Sequence, residues 1–453
     1  MDKEHHLDIL GQLPNLGIYT QISLCFPASD DLDASLVASR LINGLSQLSV
    51  TFPWVASQVV NEGASKGNTG VFKFKPIDNG TSLFILRDLR NDVGTGAMSM
   101  ESLRQANFPF TMLDESVVAP RHTIPGTSGE ALGRTSPVFM AQATLIRGGL
   151  LLTFVGHHGS MDMTGLGQVM HLLSKACQHE AFTDEEISSG NIARRTIIPS
   201  LDEPDDLEQF VAKQLVKPGI GLAPNSPSAK CTWAYFAFGS SALQDLKARA
   251  TRDLESGFVS TDDALTTFIW QSVVRSRLSR LGEDSKTSLG RAVDVRKYLG
   301  ISAAYPGMAQ NMTYHTYVAR DLATEPLGRI AAGLRRAVDP TTTTLGRDTR
   351  ALATFLERTP DKTVVSFAAT LDLSSDLMIS SWVKVDCYGM EFGLGMGKPE
   401  AVRRPRFIPF ESLVYLLPKG PDGEIIVGLC LRHEDLNRLS ADAEFVKYGV
   451  YIG

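Results

Sequence analysis

Residues 137–162 read PVFMAQATLIRGGLLLTFVGHHGSMD. The runs 138–146 and 150–155 are strand-like, and Arg147-Gly148-Gly149 between them is a tight-turn signal. The second run delivers the chain into His157 and His158. Beyond Asp162, the residues Leu166, Val169, Met170, Leu173 and Cys177 share one stripe at helical spacing. Two histidines and an aspartate therefore stand at a strand-to-helix junction, a usual place for chemistry in an α/β fold.

Outward from this junction the rhythm is the same. IYTQISLCF at 18–26 reads as a strand. Ala38, Leu41, Ile42, Leu45 and Leu48 then mark a helix that Pro53 ends. EGASKGNTG is a glycine-rich loop, and VFKFK alternates like a strand. Periodicity is lost from 188 to 229, through SSGN, DEPDD, VKPG and APNSPS, which predicts a linker. CTWAYFAF opens a second half, followed by a helix over 261–280. SLVYLLP and IIVGLCLR, joined by KGPDGE, predict a hairpin. The chain of 453 residues is too long for one ordinary core. The expected organisation is an N-terminal α/β domain at 1–189, a linker at 190–228 and a C-terminal α/β domain at 229–453.

Composition narrows the function classes. Hydrophobic residues make up 43% and charged residues 21%, as in soluble globular proteins. A net charge of −6 without a Lys/Arg block among aromatics gives no nucleic-acid footprint. Cys25, Cys177, Cys231, Cys387 and Cys430 are dispersed, with no Cys-x-x-Cys pair, which argues against a disulfide framework or a thiolate zinc site. MDKEHHLDIL has no signal-peptide character, and the apolar runs are too short to span a membrane. The expected compartment is the cytoplasm.

GHHGSMD admits three readings. In the first, Asp162 caps the following helix and a histidine fills the core. In the second, His157, His158 and Asp162 hold a metal. Adjacent histidines on an extended segment point opposite ways, however, and no further His/Cys/Glu cluster supplies a ligand. No metal is expected. In the third, a neutral imidazole takes a proton from an alcohol as it attacks a carbonyl. The chain has no Gly-x-Ser-x-Gly elbow and no activated cysteine. A direct transfer, in which the substrate's own hydroxyl is the nucleophile, needs neither.

HHGSMD resembles the His-x-x-x-Asp motif of the BAHD acyl-CoA-dependent acyltransferases. SSWVKVDCYGMEFGLGMGKPEAVRRP resembles that family's segment in which Ser/Thr-Ser-Trp precedes Asp-Phe-Gly-Trp-Gly. Here the pentapeptide departs at Glu391 and Leu394. LDILGQLP, PWVASQV, LLSKAC, FVSTDDAL, RAVDVR and QNMTYH extend the likeness to the fungal trichothecene 3-O-acetyltransferases, where Leu at the position of Leu394 is usual.

The resemblance implies a fold of two chloramphenicol-acetyltransferase-like α/β domains with a solvent channel between them. It implies His158 as general base, and Asp162 turned away from substrate and paired with Arg296. It implies Ser380 and Trp382 at the oxyanion. Ser260 and Thr261 would line the coenzyme A site, whereas the residues alone equally predict a helix N-cap there. Asn311, Glu391, Gly393 and Gly395 would support the structure. The implied partners are acetyl-CoA, as cosubstrate and with no bound cofactor, and a small-molecule alcohol such as a terpenoid. A monomer is implied. A condensation-type acyltransferase and an inactive small-molecule binder of the same fold are the alternatives.

Overall fold

Two sheets form the framework. The computed structural model describes residues 5–77, 82–92, 98–127, 135–202, 207–217, 230–254 and 256–453. The first sheet has five strands in the order Ala401–Arg403, Tyr19–Pro27, Gly149–His157, Phe139–Ile146, Phe84–Asp88. The strands at its centre are buried at almost every position. They are mostly apolar, as a sheet covered on both faces requires, with Gln21, Ser23, Gln142, Thr144 and Thr153 buried among them. Tyr19–Pro27 and Gly149–His157 pair antiparallel along their whole length, from Tyr19 opposite His157 to Pro27 opposite Gly149.

The second sheet has seven strands in the order Val450–Tyr451, Cys231–Phe238, Ile425–Arg432, Leu413–Leu416, Leu377–Ser381, Lys286–Asp294, Gln310–Val318. The expected hairpin is the antiparallel pair Leu413–Leu416 and Ile425–Arg432. The helix Thr261–Leu281 packs on this sheet through Leu265, Phe268, Ile269 and Val273. No helix among the described residues is long and apolar enough to cross a membrane.

The halves exchange pieces. Ala401–Arg403, late in the chain, adds an edge to the first sheet by pairing with Ser23–Cys25. Ile9, Leu10, Leu13 and Leu16, near the start, pack against Met308, Met312, Leu352 and Leu356 of the second half. Both exchanges pair segments hundreds of residues apart, which local periodicity does not encode.

The helix Asp184–Gly190 ends where the expected linker begins, and it is started by a capping box in which Thr183 and Glu186 satisfy each other's backbone N–H. A short helix, Leu207–Val211, lies within the expected linker. Linker residues 203–206 and 218–228, with residue 229 beside them, fall outside the described residues.

Candidate active site

The strand Gly149–His157 ends at the junction, and the helix Met163–Cys177 begins six residues on. Asp162 is that helix's N-cap, its Oδ1 accepting from the Gly165 N–H at 2.7 Å. The two histidines diverge. His157 is buried, edge-on to Tyr19 with ring centroids 5.6 Å apart, and Ser160 Oγ lies 3.3 Å from its Nδ1. Burial first, then the neighbouring charges of His158 and Arg121, holds its pKa down to about 3.

His158 is partly exposed. Its Nδ1 lies 3.3 Å from the Met161 carbonyl oxygen. A carbonyl only accepts, so Nδ1 carries the proton and donates it there. Nε2 then keeps its lone pair. Burial lowers the imidazole's pKa below the ordinary value. The Met161 carbonyl and Asp162 work against that shift, and the Arg404 cation adds to it. The ring is therefore neutral at pH 7, with a defined tautomer and a free basic nitrogen.

Asp162 is fully occupied. Arg296 Nη1 donates to its Oδ2 at 2.9 Å and Nη2 to its Oδ1 at 3.0 Å, a bidentate pair. The Ala309 N–H donates to Oδ2 at 2.9 Å. Arg296 spends its remaining donors on the carbonyls of Tyr305 and Gly307 and on Asp294. Among the described residues, no hydrogen bond joins this carboxylate to His158, and its contacts tie the loop to the segment 305–309.

Ser380 and Trp382 lie at the end of the strand Leu377–Ser381. The Trp382 indole N–H donates to Ser380 Oγ at 3.0 Å. The indole is therefore engaged, and the Ser380 hydroxyl proton is the one left to point elsewhere. Ser381 Oγ donates to Asp262, which also accepts from Arg291 at 2.6 Å. Asp262 follows Ser260 and Thr261, so this segment is stitched to the start of the helix Thr261–Leu281. Ser260 itself closes a capping box with Asp263, accepting the Asp263 N–H at 3.1 Å and donating to its carboxylate at 2.6 Å.

The remaining expected residues are structural in their contacts. Asn311 is buried, accepting from Gln214 at 2.6 Å and donating to Thr349 at 2.9 Å. The Glu391 carbonyl accepts from Gln178 at 2.8 Å and from Ser174. Gly393 and Gly395 have φ of +64° and +72°. Their loop borders Phe26, at the far end of the strand pair from His157. Seven residues of strand put it roughly 23 Å from the histidines.

Three site-forming residues escaped the sequence reading. Arg404 is buried, its guanidinium 5.0 Å from the Tyr415 ring, which in turn lies 4.8 Å from Trp382. Its charge also helps to lower the His158 pKa. Asp8 and Arg194 form a buried ion pair at 3.3 Å beneath the histidine loop. LDILGQLP and the arginine doublets carry these residues, but nothing local to either marks them as facing one loop.

A neutral imidazole at a strand-to-helix turn of one half, with a serine–tryptophan pair on the sheet of the other, is the arrangement of a two-lobed α/β acyltransferase. The chain belongs to the Transferase family, which it matches over residues 119–446, and residues 18–177 match the trichothecene 3-O-acetyltransferase-like N-terminal domain. It is 50% identical over 451 residues to trichothecene 3-O-acetyltransferase TRI101 of Fusarium sporotrichioides, covering 99% of this chain and 97% of that one. It is 49% identical over 456 residues to O-acetyltransferase dmxR13 of a Cryptosporiopsis species, covering 100% and 98%. The crystal structure of F. graminearum TRI101 complexed with coenzyme A and deoxynivalenol matches with a TM-score of 0.94 at 45% identity, covering 99% of this chain and 100% of that one. The BAHD resemblance and the two-lobed fold expected from it both hold.

Proposed function

We propose that this acetyl-CoA-dependent O-acetyltransferase acetylates a hydroxyl of a trichothecene-like terpenoid, with His158 as general base in a ternary complex. The observation that carries the reading is the His158 ring. Its Nδ1 proton is committed to the Met161 carbonyl and its Nε2 is free, on a side chain solvent can reach.

In this reading the acceptor oxygen attacks the acetyl carbonyl while Nε2 takes its proton. Negative charge moves to the carbonyl oxygen, where the Ser380 hydroxyl donates. Trp382, by donating to Ser380 Oγ, polarises that hydroxyl outward. The intermediate collapses, the C–S bond breaks, and the coenzyme A thiolate takes the proton back from His158. Acetyl-CoA and the alcohol reach His158 through a channel between the lobes, coenzyme A passing Ser260 and Thr261. Enclosure there keeps water from the thioester. The enzyme works as a monomer in the cytoplasm. Its five cysteines are free thiols, as that compartment favours.

The test is incubation with acetyl-CoA and a panel of terpenoid alcohols. The expected result is a mass gain of one acetyl group with release of one free thiol. Absence of product across trichothecene and other terpenoid alcohols would overturn the acceptor assignment. Full turnover in His158→Ala would overturn the assignment of the base.

A further inference from the structure

Asp8 and Arg194 lie apart from the residues that carry the chemistry, yet Arg194 reaches the histidine loop and Asp8 holds Arg194. Arg194 Nη1 donates to the Ser160 carbonyl at 2.7 Å. The next carbonyl along, that of Met161, is the one that holds His158 Nδ1. Fixing one peptide plane restricts its neighbour, so Arg194 grips the backbone one residue from the imidazole's own anchor. The guanidinium carbon lies over Trp54, 4.0 Å from the ring centroid, and over Phe74 at 5.0 Å. Asp8, wholly buried, pairs with it at 3.3 Å.

Asp8 has two further partners, and both belong to one segment of the second half. The Met308 N–H donates to its Oδ2 at 3.0 Å, and the Tyr305 hydroxyl donates to its Oδ1. The same segment seats Asp162, through the Ala309 N–H, and Arg296, through the Tyr305 and Gly307 carbonyls. The two buried carboxylates therefore sit on consecutive amides, 308 and 309. Tyr305 joins them: its hydroxyl serves Asp8, its carbonyl serves Arg296, and its ring centroid is 5.8 Å from each guanidinium carbon. The N-terminal segment also runs directly under the loop. Gly159 N–H donates to the Leu16 carbonyl at 2.9 Å, and a side chain at Gly11 would collide with the Gly159 carbonyl oxygen.

We infer that Asp8, Arg194 and Tyr305 are positioning residues that hold His158 in its reactive orientation, a second anchor to the loop alongside Asp162–Arg296. Resting as it does on His158 being the base, the inference makes the N-terminal segment part of the catalytic apparatus. None of the three need touch substrate.

The experiment compares Tyr305→Phe, Asp8→Asn, Arg194→Lys and Arg194→Met with the unaltered enzyme, at a temperature where each is folded by circular dichroism. Tyr305→Phe removes one oxygen and so tests the anchor even if Asp8→Asn fails to fold. The expected result is a fall in kcat of about 10- to 100-fold. KM for acetyl-CoA and the alcohol should stay within about twofold, and Arg194→Lys should recover part of what Arg194→Met loses. Histidine side-chain 1H–15N spectra should show the His158 Nδ1–H tautomer give way to a mixture, a signature that loss of stability alone does not produce. Wild-type kcat and an unchanged tautomer in folded Tyr305→Phe would overturn the inference. His158→Ala separates the failures: turnover in that variant removes the base itself, whereas an inactive His158→Ala beside a fully active Tyr305→Phe removes only the anchor.

Discussion

Arg296 holds both carboxylate oxygens of Asp162, at 2.9 and 3.0 Å, from the opposite half of the molecule. The pair is buried on both sides. Such a pair adds little net stability over apolar residues but is costly to break, because the survivor is left charged and dry. It closes the histidine loop, caps the helix behind it and ties the two lobes at one point.

Breaking it should therefore damage folding and rate together. Arg296→Met is expected to lose about 3–5 kcal/mol of stability, since it leaves the buried Asp162 carboxylate with only the Gly165 and Ala309 amides. Asp162→Ala should lose less, because Asp294 still pairs with the Arg296 cation. Urea unfolding checks both, and a loss of activity without a loss of stability would mean that Asp162 does more than shape the loop.

His158→Ala should lower kcat by about 100- to 10,000-fold, the range a positioned general base supplies. The pH dependence follows from burial. The folded imidazole's pKa lies below its ordinary value, so the base stays neutral and active above it. Activity should fall only as pH drops through that lowered value, with a midpoint below about 6.5. A kcat/KM profile with its acid midpoint above the ordinary imidazole value would contradict this environment.

Ser380→Ala should reduce kcat by about 100- to 1,000-fold, as removal of an oxyanion donor does, with little change in KM. Trp382→Phe removes only the bond to Ser380 Oγ and keeps most of the apolar bulk, so its effect on kcat should be smaller. Steady-state kinetics with both substrates distinguishes these outcomes. A larger loss in Trp382→Phe would point to the indole as the direct donor.

His157 should make the fold acid-sensitive. In the native chain its pKa is held down to about 3, whereas an unfolded histidine titrates near 6.5. Between these values the unfolded state binds the extra proton. The stabilisation is fully present above about pH 6.5 and is lost as pH falls toward 3, by up to about 1.4 kcal/mol per pH unit. Urea midpoints at pH 7 and pH 5 should therefore separate less in His157→Gln than in the unaltered protein.

Gly393 tests the loop remote from the histidines. Its φ is +64°, and an added Cβ would lie 2.8 Å from the Cys177 carbonyl oxygen. Gly393→Ala should cost about 1–3 kcal/mol, the scale of one strained backbone position. Thermal unfolding reads the loss, and kcat of the folded enzyme should stay near wild type.

The elements and the junction are legible in local pattern alone. Apolar runs with a two-glycine turn specified the strands before His157. A polar N-cap followed by a 3.6-residue stripe specified the helix after Asp162. Alternation along the chain alone set the histidines on opposite faces, because adjacent side chains on extended backbone diverge. What tertiary structure decided were the relationships that no local pattern carries. Asp8 and Arg194 are 186 residues apart, and only the packed chain brings them under one loop. Ala401–Arg403 is a strand only because Tyr19–Pro27 offers it an edge. Arg404 is one arginine among several until folding buries it against Phe407 and Tyr415. Local pattern encodes secondary structure because propensity and periodicity act over a few residues. A site assembled from distant segments depends on which surfaces are buried together, and that is settled only when the two halves close.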